Sequence, residues 1–322
     1  MVRRIGPIDR ISVKLVMIFL IIGSLLLFFT NLGGRDFWAP DEGDFAQIVK
    51  ELDTDPVVPH LNNVPYGEKP PLFYYVVYIF AKTFRSLPDE TSMRLSSSFA
   101  ALITLIAFFL TIRVGFGLSR SIASVVILGL TPLFYWQARY LQVDMVFSAA
   151  LVLALLAFFR FIENARTGWY YAFFIMLACA FMTKGPLAAV LAGPVVVFSC
   201  LSEKRMPAIL TRHTIFGILV FLAIIVPWYC AVYLKEGYPY LYENILRQNF
   251  LRFFAAWSHK RPFYYYFTTL PLDFFPWSLF LPLGLYTAFK TWKADKRTRF
   301  FLIWFLWFFF FLSLSSGKIS KY

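Results

Sequence analysis

Residues 143–159 read VDMVFSAALVLALLAFF, an apolar run in which Asp144 is the only charged residue. A run of this length can cross the hydrocarbon core of a bilayer as a helix. Eight further runs of similar length contain no charged residue, and hydrophobic residues make up 59% of the chain. This exceeds what a soluble domain needs, so the sequence predicts an all-α polytopic membrane protein with about nine transmembrane helices. The predicted spans are residues 15–32, 95–112, 121–138, 143–159, 169–183, 186–201, 213–234, 274–289 and 300–316.

Basic residues are concentrated in the short segments that connect these runs on one side of the membrane. Five such segments hold 16 of the 31 Lys and Arg residues but only 4 of the 18 Asp and Glu residues. Short loops rich in Lys and Arg face the cytoplasm, so we expect the longer segments 31–94 and 235–273 to lie outside it. Topology and anionic lipid explain the net charge of +13, which therefore gives no reason to expect a nucleic-acid partner. The basic segments are residues 1–14, 113–120, 160–168, 202–212 and 290–299.

The first outer segment, residues 31–94, has the pattern of two helices. Pro40 and the acidic residues after it are typical of a helix start, and apolar residues recur at helical spacing from Phe45 to Leu52. Residues 70–84 form a second apolar and aromatic run that is short for a membrane span. We expect both helices to lie at the membrane interface. If residues 70–84 crossed the membrane instead, every later orientation would be inverted.

Three carboxylates beside the predicted spans are candidates for catalysis. Asp41 and Glu42 follow the first span, and Asp144 stands at the outer end of the fourth. A carboxylate at the head of an apolar helix is energetically expensive, which makes it a functional candidate. The alternative is that these acids cap or stabilise helix N-termini. We predict that Asp41, Glu42 and Asp144 are catalytic.

Basic residues from three separate outer segments are expected on the same side of the membrane. Lys69 lies in the first outer segment, Arg252 lies in the second, and Lys318 and Tyr322 follow the last span. Cations near the interface suit a phosphate that is attached to a lipid tail. We therefore predict that Lys69, Arg252 and Lys318 bind substrate, together with the tyrosines Tyr66 and Tyr322. The alternative is that the Lys69 and Arg252 side chains only reach lipid headgroups.

Several short motifs, each weak alone, occur together in this chain. They are Asp41-Glu42, Tyr66-Gly67-Glu68-Lys69-Pro70-Pro71-Leu72, Ala138-Arg139 with Asp144-Met145, Thr183-Lys184-Gly185-Pro186, Arg252-Phe253 with Pro262-Phe263-Tyr264-Tyr265, and Gly317-Lys318 to Tyr322. In this combination the chain resembles the polyprenyl-phosphate-sugar glycosyltransferases of the GT-C superfamily over nearly its whole length. Within that superfamily it resembles the aminoarabinose transferases and the protein mannosyltransferases.

The resemblance implies an enzyme that moves a sugar from a polyprenyl phosphate to a lipid A, glycolipid or protein acceptor. The reaction would take place on the outer side of the cytoplasmic (inner) membrane. A possible divalent metal is the only cofactor that the resemblance implies. The implied roles are catalytic carboxylate for Asp41, contact with the lipid phosphate for Lys69, Arg252 and Tyr322, support of the site for Tyr66 and Asp144, and metal ligand for Glu68.

The chain departs from the pattern of the aminoarabinose transferases in three places. Asp44 and Phe45 stand where those enzymes have Arg and Tyr, which removes a cation and a hydroxyl. Gln248 or Asn249 replaces a histidine, and the last motif reads Gly-Lys-Ile-Ser-Lys-Tyr in place of Gly-Lys-Leu-Pro-x-Tyr. These differences leave the sugar and the metal unassigned. The family pattern also continues beyond this last motif, so we expect the chain to be truncated.

Two other classes of protein would also place charged residues near lipid headgroups. A transporter or flippase of a lipid-linked sugar is expected to have broken helices or inverted repeats near the membrane midplane, and the sequence shows neither. A membrane scaffold would not need Asp41, Lys69 and Asp144 together. The sequence therefore favours the transferase, with the transporter or flippase as the alternative.

Overall fold

The computed structural model describes residues 7–203, 206 and 209–318. Within these residues the chain forms fourteen α-helices and one antiparallel hairpin, in which His60 pairs with Pro65 and Leu61 with Val64. The fold is therefore helical, as predicted, apart from this hairpin. The helices are α1 (Pro7–Ser24), α2 (Asp41–Glu51), α3 (Leu72–Thr83), α4 (Asp89–Phe116), α5 (Leu118–Gly129), α6 (Pro132–Ala138), α7 (Val143–Asn164), α8 (Thr167–Lys184), α9 (Leu187–Ser202), α10 (Arg212–Leu241), α11 (Arg252–Phe254), α12 (Tyr265–Asp273), α13 (Leu281–Thr291) and α14 (Lys296–Leu314), and the strands are β1 (His60–Leu61) and β2 (Val64–Pro65).

Four helical segments of the described residues are long and apolar enough to cross a membrane. They are α4, α7, α14 and Arg212–Phe254, which contains α10, and the bent pair of α5 and α6 would be a fifth. The protein is therefore a multi-pass membrane protein. Each of the nine predicted runs overlaps a helix, but within the described ranges only these four or five meet the length and composition of a span. The number nine stays a prediction.

The run predicted as one span at residues 121–138 is broken into α5 and α6, which are bent by 68°. The break precedes Pro132, and Thr131 has extended backbone angles (φ −67°, ψ 124°). Proline lacks an N–H group and disfavours the helical conformation of the residue before it, which explains why the helix is interrupted here. The expectation that no helix is broken is wrong at this position.

Helix α7 packs against α4, α8 and α9. Small buried residues such as Ala154 of α7, Ala180 of α8 and Ala192 of α9 lie in the shared core. Small residues let membrane helices approach closely. Because α7 and α8 are consecutive and antiparallel, their packing brings Asp144, in the first turn of α7, to the same end as Lys184, the last residue of α8.

The first outer segment has helices at both predicted positions. Helix α2 begins at Asp41, and α3 covers most of residues 70–84. The two helices share a core with the start of α4, in which Ile48, Phe73 and Val77 are fully buried. Their placement at the membrane interface stays a prediction.

The second outer segment was predicted at residues 235–273, and its first half, up to Phe254, continues α10, while α12 forms its end. Gly237 interrupts that helix with a φ of +72°, a conformation that favours glycine. The chain then continues as a π-helical stretch (Tyr242–Leu251) into α11. This stretch lies beside the first outer segment and contributes to the site described next.

Candidate active site

The carboxylate of Glu42 is buried and accepts five hydrogen bonds. Arg94 donates two of them and Arg35 donates one, all at 2.8 Å. The backbone N–H groups of Trp38 and Leu141 donate the other two, also at 2.8 Å. Burial disfavours the charged form, but these hydrogen bonds outweigh it and hold the pKa of Glu42 below its ordinary value. The ionised carboxylate therefore ties the start of α2 to distant parts of the chain.

Arg94 of α4 uses all five of its N–H donors. Besides its two bonds to Glu42, it donates to the carbonyl oxygens of Leu32, Arg35 and Asp36 at 2.6–2.9 Å. The side chain is only 1% exposed. The Glu42–Arg94 pair thus fixes both the loop before α2 and the first turn of that helix. This geometry suits a positioning role for Glu42, and its prediction as a catalytic residue remains untested.

Asp41 is the half-buried first residue of α2, and it differs from its neighbour Glu42. The side-chain amide of Gln142 donates to Oδ2 of Asp41 at 3.2 Å. Asp41 also lines a cavity of about 430 Å³, together with Trp136 and Gln137 of α6. Pro40 provides no side-chain cap for α2, and Asp41 lies in the first turn, so the alternative that Asp41 stabilises the helix N-terminus stays open. Of the two acids, Asp41 is the one placed to meet a ligand.

The loop at residues 66–69 is held by the second outer segment. The hydroxyl of Tyr240 donates to the carbonyl oxygen of Tyr66, and the amide of Asn244 donates to that of Gly67, both at 2.9 Å. Asn244 is fully buried. The two long segments predicted to lie outside the cytoplasm therefore meet at this loop.

Two other cations lie near the side chain of Lys69. The charges of Lys184 and Arg252 act on its ammonium group, and the carboxylates of Glu68 and Asp144 oppose them. Burial and the two neighbouring cations lower the pKa of Lys69 to about 8. We call Lys69, Lys184 and Arg252 the cation cluster. A phosphate bound among them would favour the charged form of Lys69.

Tyr66 connects the cation cluster to the start of α2. Burial and the charge of Glu68 raise the pKa of its hydroxyl, with smaller effects from Asp44 and Asp41. Its side chain therefore lies within electrostatic reach of carboxylates on both sides. The structure brings Tyr66, Asp41 and Glu68 into one region, as the sequence predicts.

Asp144 forms a salt bridge with Lys184, and both side chains are mostly buried. The ammonium group of Lys184 also lies 5.4 Å from the ring centroid of Phe147. Gly185 follows with a φ of +72°, and a β-carbon there would lie 3.2 Å from the Asn249 side chain. The start of α7 has no side-chain cap. Asp144 is therefore an ion-pair partner within the cluster and not a helix cap.

The other two predicted substrate-binding residues are placed differently. The ammonium group of Lys318 donates to the carbonyl oxygens of Ser315 and Arg261, the latter at 3.1 Å, and burial lowers its pKa. These contacts join the end of α14 to the second outer segment and fit a structural role, while substrate binding by Lys318 stays a prediction. Tyr322 lies outside the described residues.

The possible divalent metal at Glu68 does not fit the side chains around it. In the part of the chain that the structure describes, no three His, Cys, Asp or Glu side chains come together in a way that could hold a metal ion. Protein zinc sites use three or four such ligands. Glu68 instead acts electrostatically on Lys69 and Tyr66.

Sequence reasoning assigned no role to Arg94, Lys184 or Gln142, although Lys184 belongs to one of the quoted motifs. Arg94 and Lys184 each stand at one end of a predicted span, so the reasoning that selected Asp144 could have found them. Gln142 is a neutral residue next to a span, and no pattern in the sequence marks it.

Residues 68–230, just over half of the chain, match the family model described as dolichyl-phosphate-mannose-protein mannosyltransferase. The chain is also 30% identical to undecaprenyl phosphate-alpha-4-amino-4-deoxy-L-arabinose arabinosyl transferase 2 of Pseudomonas fluorescens, over 94% of this chain and 52% of the relative. The corresponding transferase of Pectobacterium atrosepticum is 29% identical, over 98% of this chain and 57% of the relative. The chain thus spans about half the length of the curated relatives it matches.

The fold is similar to that of a solved protein. The crystal structure of ArnT from Cupriavidus metallidurans bound to undecaprenyl phosphate superposes with a TM-score of 0.86 and 22% identity. The match covers 94% of this chain and 56% of that protein. At this identity the likeness concerns the fold alone.

Proposed function

Because the chain belongs to the dolichyl-phosphate-mannose-protein mannosyltransferase family, we propose that it is a membrane glycosyltransferase whose donor is a sugar linked to a polyprenyl phosphate. The names of the arabinosyl transferase relatives specify an undecaprenyl phosphate donor, and the solved ArnT holds undecaprenyl phosphate. The acceptor is a hydroxyl of a lipid, glycolipid or protein. The reaction takes place on the outer face of the cytoplasmic membrane, and the expectation from the positive-inside rule that both long segments lie there supports this proposal.

The cation cluster is the observation that carries this proposal. Lys69, Lys184 and Arg252 come from three distant parts of the chain, yet the charges of the last two act on the first. Like charges repel, so such an arrangement is costly unless an anion binds there. The carboxylates of Glu68 and Asp144 offset part of the charge. A lipid phosphate, which gains negative charge as it leaves, would be stabilised by the remainder.

The reaction that suits this geometry is a single displacement with Asp41 as the base. The bond between the anomeric carbon and the phosphate oxygen breaks, and its electron pair leaves with the polyprenyl phosphate. A new bond joins the anomeric carbon to the acceptor oxygen, whose proton passes to the carboxylate of Asp41. The step balances without a further reactant and inverts the anomeric centre.

A double displacement would need a second carboxylate that is placed as a nucleophile. Asp144 is the candidate that the sequence left open, but its carboxylate forms a buried salt bridge with Lys184. This pairing supports a role in positioning Lys184 over a role in attacking the sugar. Glu42, whose oxygens are occupied by five hydrogen bonds, is a positioning residue in this scheme.

The proposal is tested by transfer from labelled undecaprenyl phosphate sugars, with a panel of sugars, in membranes that contain the full chain. Asp41→Asn keeps the shape of the side chain, and turnover should fall by roughly 10²–10⁴. Asp44→Asn is the matched control, because Asp44 lies exposed in the same helical turn. Equal activity of both variants at equal folded amounts would exclude Asp41 as the base.

A second measurement tests the phosphate site and separates the transferase from a transporter. Lys69→Met should weaken binding of undecaprenyl phosphate by roughly 10- to 100-fold, because a charge-assisted hydrogen bond is lost. Lys82→Met, which breaks an exposed pair with Asp53, is the control. A transporter would move the labelled lipid across vesicles without forming a new glycosidic bond, and Asp41→Asn would leave that movement unchanged.

A further inference from the structure

The π-helical stretch (Tyr242–Leu251) connects two parts of the chain that carry the cation cluster. It runs directly into α11, whose first residue is Arg252. A β-carbon at Gly67 would lie 3.3 Å from Cγ of Glu243, so the stretch also packs closely against the loop at residues 66–69. π-Helical turns are rare in proteins and occur frequently at functional sites. This stretch therefore joins that loop to α11.

Asn244 is the buried residue of the stretch and makes its most specific contact with the loop. The hydroxyl of Tyr229 donates to Oδ1 of Asn244 at 2.9 Å, and Nδ2 of Asn244 donates to the carbonyl oxygen of Gly67, also at 2.9 Å. The amide thus uses its oxygen and its nitrogen in opposite roles, and this fixes its orientation. A buried polar group with both ends paired is rigid. It holds the backbone two residues before Lys69.

The loop needs such a contact because its own backbone provides little support. Lys69 lies between the end of β2 and the start of α3, outside any helix or strand. Pro70 and Pro71 follow it, and proline has no N–H group with which to bond the backbone. The charges of Lys184 and Arg252 also repel the ammonium group of Lys69. A neutral amide can hold the loop against this repulsion without adding a charge that would repel a phosphate.

Gln248 of the same stretch holds the other side of the cluster. Nε2 of Gln248 donates to the carboxylate of Glu243 at 2.7 Å, and this leaves Oε1 to accept a hydrogen bond from Arg252 at 3.0 Å. One stretch of chain thus holds the guanidinium of Arg252 through Gln248 and the loop of Lys69 through Asn244. The distance between these two cations depends on this stretch.

We propose that the π-helical stretch sets the spacing of the cation cluster, and that Asn244 is the positioning residue for Lys69. This proposal rests on the proposed function, in which the cluster binds the donor phosphate. Both polar atoms of Asn244 are occupied within the protein, so its effect on the phosphate passes through Lys69. Loss of Asn244 should therefore matter only while Lys69 is present.

The test is a double-mutant cycle with the full chain in nanodiscs, in which affinity for undecaprenyl phosphate is measured. Asn244→Leu should weaken binding by roughly 3- to 10-fold, because the charged contact of Lys69 is misplaced but not removed. In a Lys69→Met chain the same change should alter the affinity by less than twofold. Ser98→Ala is the control, because Ser98 is also fully buried and donates to the carbonyl oxygens of Phe28 and Ala138 on elements without a member of the cluster. Its affinity should stay within twofold of wild type.

Tyr229→Phe replaces Asn244→Leu in the cycle if the latter does not fold. It keeps the ring and leaves Asn244 in place, but it removes the hydroxyl that fixes the amide, so we expect binding to weaken by roughly 2- to 5-fold. Tyr75→Phe is the matched control, since the hydroxyl of Tyr75 donates to the carbonyl oxygen of Pro56, outside the loop at residues 66–69. An affinity of Tyr229→Phe equal to that of Tyr75→Phe would overturn the positioning role.

The cycle also distinguishes this proposal from the proposed function. If Asn244→Leu folds and binds undecaprenyl phosphate as wild type does, or weakens binding equally with and without Lys69, Asn244 does not position Lys69. The phosphate site can still stand in either case. If Lys69→Met itself leaves the affinity unchanged, the proposed function fails instead.

Discussion

Replacing Arg94 with methionine tests how the start of α2 is held in place. Methionine keeps much of the aliphatic volume but removes all five N–H donors. Glu42, which is fully buried, would keep one cationic partner, Arg35, and two backbone N–H donors. Removing one member of a buried ion pair costs about 3–5 kcal/mol. Because Arg35 remains, we expect a loss near 3 kcal/mol in the free energy of unfolding.

The measurement is unfolding in mixed micelles, followed by tryptophan fluorescence. Lys82→Met is the control, since it breaks a salt bridge with Asp53 in which both side chains are about half exposed, and such pairs contribute about 0.2–1 kcal/mol. Adding Glu42→Gln to Arg94→Met should recover part of the loss, because the unpaired buried charge is removed. If Arg94→Met costs no more than Lys82→Met, the pair does not hold the start of α2.

The same variant separates positioning from phosphate binding. Arg94 of α4 holds the start of α2 through Glu42, whereas the cation cluster is built from the loop at residues 66–69, the end of α8 and α11. We expect Arg94→Met, at a temperature where it is folded, to lower sugar transfer while undecaprenyl phosphate still binds. A parallel loss of both would mean that the whole outer region depends on this pair.

Three further predictions follow from the structure. Since the pKa of Lys69 is lowered to about 8, affinity for undecaprenyl phosphate should be full below that pH and fall as the pH rises through it. A Lys69→Arg chain should show no such fall between about pH 6.5 and 9.5. The prediction is contradicted if the affinities of the wild-type and Lys69→Arg chains change with pH in the same way. Glu42 has a folded-state pKa below 4.5, so its stabilising contribution is complete above about pH 4.5 and is lost as the pH falls; the Glu42→Gln chain should therefore lose less stability between about pH 5 and pH 3 than wild type. A β-carbon at Gly217 would lie 2.2 Å from the buried Phe174 ring, so Gly217→Ala should cost about 1–3 kcal/mol, whereas Gly193→Ala, which meets nothing within 4 Å, should be neutral or stabilising in the same unfolding assay.

The helices were predictable because a long apolar run is expected to enter the membrane. There the backbone N–H and C=O groups must bond to each other, which favours a helix. Each predicted run overlaps a helix, and the helix start at Asp41 was found from its acidic first turn. The bend before Pro132 was missed although a proline inside an apolar run is a visible signal. Residues 121–138 have the length and hydrophobicity of one membrane span, and the prediction gave these more weight than the proline.

The site was predictable only in part. The distribution of Lys and Arg between the two sides of the membrane predicted that Lys69 and Arg252 lie on the same side, and the structure brings them close to each other. The partners of the carboxylates were not predictable, because the Asp144–Lys184 pair depends on how α7 packs against α8. Nor could the sequence distinguish Asp41 from its neighbour, since adjacent residues of a helix face different directions and their surroundings arise from tertiary packing.

The long-range hydrogen bonds of Glu42 also set an order of biogenesis. Its guanidinium partner at Arg94 is synthesised 52 residues after it, and the N–H group of Leu141 another 47 residues later. Until Arg94 has been synthesised, burying the ionised carboxylate of Glu42 would cost free energy, because its main partner is absent. We therefore expect the start of α2 to stay hydrated until α4 has been inserted. The lysine and arginine that surround Lys69 emerge later still. The cation cluster can therefore form only after residue 252 has left the exit tunnel.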